Sequence, residues 1–120
     1  MLSTILLISK NSHFINTFSD TLLSVELETV FFHAGTKDEM LHRLETKQFD
    51  FIFIETENDH DWTTETIMIL QTLSISIPTI VMSHHNDDKF KSTCMGNGVD
   101  RFIHLPISPP EISSAINHYL

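Results

Sequence analysis

The chain has 120 residues, average hydropathy and a formal charge of -9 at pH 7, a length that suits one domain with a real core and is too short for two ordinary ones. The acidic balance argues against direct binding to nucleic acid, which depends on clustered Lys and Arg. The longest apolar runs, such as Phe51-Ile52-Phe53-Ile54, fall far short of the ~20 residues that span a bilayer, so no membrane helix is expected.

Thr4 to Ser9 reads as the first strand. It has no basic segment ahead of it and no small-residue cleavage site behind, so a signal peptide is not expected and a cytoplasmic location is. Phe14, Ile15, Phe18 and Leu22 then recur at helical spacing. Glu26 to Phe32 reads as a second strand, and its mixed polarity suits a sheet edge. Thr36-Lys37-Asp38-Glu39 has the form of a capping box and opens a helix that carries Met40, Leu41 and Leu44. Phe49 to Ile54 is the third strand and, like Thr4 to Ser9, is apolar at nearly every position, as strands covered on both faces are. Ile67, Met68 and Leu70 mark the third helix, and Thr79 to Met82 the fourth strand. Gly98 stands where the fourth helix should end. Cys94 lies within that helix; alone, it makes no internal disulfide, and an inert thiol with no role is expected. Arg101 to His104 is the fifth strand, and Ser108-Pro109-Pro110-Glu111 opens the last helix with proline at its first position. Strand and helix thus alternate five times, which predicts a doubly wound parallel sheet in one domain spanning residues 1–120. Phe90, Met95, Ile112, Ile116 and Tyr119 give the last two helices more apolar residues than one core-facing stripe needs, so a contact surface is expected over residues 87–120, with burial of all five against the sheet as the simpler alternative.

Open parallel sheets bind ligands at the carboxyl ends of their strands. Here those ends carry Ser9, Lys10 and Asn11, then residues 55–61, then residues 83–86, then His104, Leu105 and Pro106. Five of the eight histidines, His13, His60, His84, His85 and His104, fall at or near the same end, alongside Glu55, Glu57, Asp59 and Asp61. Such residues can ligate zinc or respond to pH, but no pair has the spacing of a metal motif, and solvated loop residues are the simpler explanation. There is no Gly-rich phosphate loop, no G-x-S-x-G and no CxxC.

Over essentially its whole length the chain resembles the receiver domains of bacterial two-component response regulators. The resemblance rests on the order and spacing of Ile5-Leu6-Leu7-Ile8, of Phe49-Asp50-Phe51-Ile52-Phe53-Ile54, of Ile77-Pro78-Thr79-Ile80-Val81-Met82-Ser83, and of Gly98-Val99-Asp100-Arg101-Phe102 leading to Pro106. It implies a flavodoxin-like three-layer sandwich with strand order 2-1-3-4-5 and a role in signal transduction. The family carries an acidic pair that holds magnesium, a phosphoaccepting aspartate, a Ser or Thr, and a lysine before a proline whose preceding bond is usually cis. In this chain the corresponding positions hold Ser9 and Lys10, then Glu55, then Ser83, then Leu105 before Pro106. Phe102 matches the aromatic that moves together with the hydroxyl in the family, although a packing role would equally retain it.

Three essentials are therefore changed together. An ammonium at Lys10 repels magnesium, and Glu55 carries its carboxylate about 1.5 Å further out than aspartate would. The expectation is a pseudo-receiver with no catalytic activity, metal or cofactor, in which Lys10 neutralises Glu55 as an ion pair. It would act through protein partners: an output domain of its own, a second copy of itself or other signalling proteins, with residues 87–120 as the contact surface. Two rival readings remain, a phosphoacceptor that uses Asp59 or Asp61 and a histidine-built metal or pH sensor.

Overall fold

The two runs that are apolar at nearly every position become the middle of the sheet, where both faces are covered. The structure, a computed structural model, describes residues 2–25, 27–56, 60–84 and 87–119. Five strands, β1 (Ser3–Ile8), β2 (Thr29–Ala34), β3 (Phe51–Thr56), β4 (Thr79–Ser83) and β5 (Arg101–His104), alternate with five helices, α1 (Ser12–Leu23), α2 (Lys37–Thr46), α3 (His60–Thr72), α4 (Asp88–Gly96) and α5 (Pro109–His118). All pairings are parallel, in the order β2-β1-β3-β4-β5. Strand order reverses between β1 and β3, which places the crevice at their carboxyl ends.

Alternation along the strands divides the core in two. Ile5, Leu7, Phe51, Phe53, Ile80 and Met82 meet α1 and α5 on one face. On the other, Leu6, Ile8, Ile52, Ile54 and Val81 meet α2, α3 and α4. Phe18 centres the first layer, with its ring centroid 6.1, 5.8 and 5.2 Å from those of Phe14, Phe31 and Phe53. The helices begin where their capping residues stand. Asn11 accepts from the backbone N–H of His13 and Phe14, Thr36 from that of Glu39, Asp87 from those of Lys89 and Phe90, and Ser108 from that of Glu111. Gly98 closes the α4 turn at φ +92°, a conformation that a Cβ would strain.

Three expectations are corrected. β2 begins at Thr29 and not at Glu26, which lies outside the described residues, and it runs to Ala34 because the ladder with β1 pairs Ser3 with Thr29 and Ile8 with Ala34. Backbone pairing, and not side-chain hydrophobicity, sets that end. β3 likewise starts two residues later than expected. Asp50 ties off its entry, its N–H donating to the Thr4 carbonyl and its Oδ2 accepting from the Thr4 N–H, each at 2.7 Å. The strand then continues through Glu55 and Thr56, which pair with Met82 and Ser83 of β4. Third, the apolar surplus over residues 87–120 is largely consumed by the core. Phe90, Ile112 and Ile116 are buried, Tyr119 packs edge-on to Phe51, and Met95 alone of the five is exposed.

Two outcomes follow from this packing. Truncating Phe18 to Ala should cost about 3–5 kcal/mol, read as a lowered denaturation midpoint in urea. Burial raises the Cys94 thiol to about 11, so it stays protonated in the folded protein through neutral and mildly alkaline pH. A thiol reagent at mildly alkaline pH should therefore label Cys94 slowly in the native protein and quickly after unfolding.

Candidate functional site

Because β3 extends to Thr56, Glu55 is a strand residue, carried into the interior at the sheet's carboxyl edge; it is only 3% exposed. Alternation puts it on the face of Phe51 and Phe53, the same face on which Ser9 follows Ile5 and Leu7. The two side chains meet there. Ser9 Oγ donates to Glu55 Oε1 at 2.8 Å, with Ser9 fully buried. The serine is itself fixed from both sides: its Oγ accepts from the Asn11 N–H at 3.0 Å, and its carbonyl meets His33 Nε2 at 2.8 Å.

Thr56 and Ser83 are paired in register on the opposite face, and both are buried. The Ser83 carbonyl accepts from the Leu105 N–H at 2.7 Å. Leu105 is buried within the α1–α5 layer, and the Leu105–Pro106 bond is cis. An apolar side chain thus fills the position where the resemblance places a lysine.

Lys10 is exposed at its backbone turn, with its Nζ 4.5 Å from the centre of the Trp62 ring in the first turn of α3, a cation–π arrangement. In place of the expected Lys10–Glu55 ion pair, the contacts described for these two residues are Lys10 with Trp62 and Ser9 with Glu55. The physical reason is reach and face: Glu55 is turned into the sheet beside Ser9, while Lys10 follows the chain outward. Phe102 is half-buried and meets Phe90 edge-on, with ring centroids 6.0 Å apart. Trp62, Thr56 and His33 were not singled out by the sequence. Thr56 had a signal, since it follows Glu55 directly after the apolar run Phe51-Ile52-Phe53-Ile54, whereas the approach of Trp62 and His33 depends on how α3 and β2 pack.

His13 lies in the first turn of α1, His60 opens α3, His84 follows β4, and His104 ends β5 with its Nε2 3.1 Å from the His84 carbonyl. His85, Glu57 and Asp59 lie outside the described residues. Among the described residues no group of three His, Cys, Asp or Glu side chains is placed to hold a metal ion. The fit to magnesium is poor for the same residues: a hydroxyl and an ammonium occupy the acidic-pair positions, and the Glu55 carboxylate is already engaged by Ser9. What this arrangement does chemically is hold the Glu55 side chain in a buried, hydrogen-bonded socket.

Removing the Ser9 hydroxyl takes a donor from a buried carboxylate. Ser9→Ala should cost about 1–3 kcal/mol in urea denaturation. In a double-mutant cycle with Glu55→Gln the coupling should be roughly 0.5–3 kcal/mol; additive costs would mean that the 2.8 Å contact does not hold in solution.

The comparisons with known proteins agree with this fold. A family model described as the response regulator receiver domain matches residues 5–117. No curated protein matches the sequence. Among solved structures, the chemotaxis protein CheY4 of Vibrio cholerae superposes with a TM-score of 0.83 at 16% identity, covering 100% of each chain. A CheY-like receiver domain protein of Methanospirillum hungatei gives 0.79 at 18% identity, covering 98% of this chain and 93% of its own. A response regulator of Burkholderia pseudomallei, solved with a phosphorylated aspartic acid, calcium ion and citrate, gives 0.78 at 21% identity; 94% of this chain covers 65% of that protein. At these identities the structural likeness speaks for the fold, and the family match covers nearly the whole chain. No helix among the described residues is long and apolar enough to cross a membrane. With the fold, the strand order and the family match in agreement, the chain belongs to the response regulator receiver domain family.

Proposed function

We propose that this receiver domain transmits its signal without accepting a phosphoryl group and without catalysis, by binding protein partners from a conformation that Glu55 helps to hold. The observation that carries this reading is the buried 2.8 Å contact between Ser9 and Glu55, the residues at an acidic-pair position and at the acceptor position. Two further features support it. Leu105 supplies no charge to neutralise a phosphoryl group, and the glutamate is about 1.5 Å longer than aspartate, a displacement that is costly where chemistry depends on positioning. Ser83 and Phe102 remain as a hydroxyl and an aromatic in the switch positions. A cytoplasmic setting is part of this reading.

The partners in this reading are proteins: an output domain, another signalling protein or a second copy of the chain. With Phe90, Ile112 and Ile116 committed to the core, the described part of residues 87–120 available for contact is mostly polar, with Lys89, Lys91 and Met95 all exposed. Contacts made there are charge-dependent and weaken with salt. Sedimentation over a wide concentration range should show association that falls as ionic strength rises and is lost in Lys91→Glu. Association that ignores both changes would place the contact elsewhere.

The Burkholderia neighbour, solved with a phosphorylated aspartic acid, favours a second reading, in which an aspartate of this chain accepts the phosphoryl group. Asp61, exposed in the first turn of α3, is the described candidate, and Asp59 lies outside the described residues. Incubation with a small phosphodonor and magnesium separates the two. Our reading expects an unchanged intact mass; a phosphoryl adduct that disappears in an Asp59 or Asp61 variant would overturn it. The histidine-built metal or pH sensor has less support, since the described histidines do not gather into a ligand set.

A further inference from the structure

The first turn of α3 makes two contacts that lead in different directions. Trp62 lies under the Lys10 ammonium, at the end of the sheet where Glu55 is buried. Two residues earlier on the helix, and so about 200° around it, His60 stacks face to face on Phe90 of α4, with ring centroids 3.9 Å apart and planes 9° from parallel. Phe90 in turn meets Phe102 of β5 at 6.0 Å and 76°. His60 and Phe102 are half-buried, while Phe90 between them is 6% exposed. Three rings from three elements thus form one column, which runs from the first residue of α3 to the edge strand of the sheet.

We infer that His60 is a positioning residue for Phe102, acting through Phe90. The column ties the ring of Phe102 to the placement of α3's first turn. A flat imidazole stacked on a phenyl ring admits few relative orientations, and an edge-on pair has a preferred geometry of its own. Tilting α3's first turn therefore rotates Phe90, and rotating Phe90 moves the ring against which Phe102 rests. Because Trp62 sits in the same turn, whatever displaces Lys10 from that ring also reaches β5. This route passes through side-chain rings of α3 and α4 and needs neither the Ser83 hydroxyl nor a covalent group on Glu55. The inference is independent of the phosphorylation reading: a phosphoryl adduct would sink that reading and leave the ring column untouched.

The test places 4-fluorophenylalanine at position 102 of the full chain and records its fluorine resonance. In His60→Ala the resonance should move from its wild-type position, and in His60→Phe, which restores a flat ring, it should return towards it. In a Phe90→Leu background, where apolar volume is kept and the ring removed, His60→Ala should have no further effect. An unmoved resonance in folded His60→Ala, or an equal displacement with Leu at position 90, overturns the inference. A reciprocal measurement covers failure of His60→Ala to fold. The imidazole proton resonance of His60, read in Phe102→Leu, should shift when Phe90 is present and stay fixed when it is Leu; a resonance that ignores Phe102 in both backgrounds refutes the column.

Discussion

A carboxylate taken out of water must find donors in the protein, because an uncompensated buried charge is among the most costly features a fold can carry. Glu55, at the carboxyl end of the central strand, imposes that demand here, and much of the surrounding architecture is linked to meeting it. Ser9 Oγ donates to Glu55, and the Asn11 N–H donates to Ser9 Oγ. Asn11 also caps α1 through its side chain. On the other side, the Ser9 carbonyl meets His33 Nε2, and the His33 carbonyl accepts from Arg43 Nε of α2 at 3.3 Å. One short network therefore joins β3 to β1, α1, β2 and α2. Among the described contacts, the side chains of Ser9, His33 and Arg43 alternate with the backbone groups of Ser9, Asn11 and His33, so the seating of Glu55 draws on both.

In a receiver that works by phosphorylation, several carboxylates are gathered and their repulsion is relieved by a metal ion and a lysine. In the reading we propose, this chain avoids the problem at its source. A hydroxyl and an ammonium stand where the acidic pair would be, and the lysine position is an apolar residue packed into the core. Among the described contacts, Lys10 rests on Trp62 and Ser9 holds Glu55. In the reading we propose, no covalent group is added or removed, so the balance between two conformations moves only when something binds them with different affinity, and partner concentration takes the place of phosphorylation as the input.

The sheet was legible because periodicity carries so much of it. Runs apolar at nearly every position marked β1 and β3 as central, and Thr36, Ser108 and Gly98 marked helix ends by their own chemistry. Strand limits were less legible: β2 reaches Ala34 through backbone pairing with Ile8, which leaves no trace in side-chain hydrophobicity. The same limitation shaped the site. The identities of Ser9, Lys10, Glu55 and Leu105 could be read directly, but their partners could not, since the charges alone suggested that Lys10 and Glu55 would pair. Which face each side chain takes, and that β3 continues long enough to bury Glu55, settled the contacts differently. The apolar excess of the last two helices misled for a related reason. Phe90, Ile112 and Ile116 all fit within two core layers that the sequence alone does not count.

The central claim is that this end of the sheet is built to stand without a metal ion. The chain's single tryptophan, Trp62, reports on it directly, because its ring lies 4.5 Å from the Lys10 ammonium and a divalent cation bound there must displace that charge. Tryptophan emission recorded during a magnesium titration should show no saturable change and no response to chelator. A saturable change that chelation reverses, and that is lost in Glu55→Gln, would contradict the account.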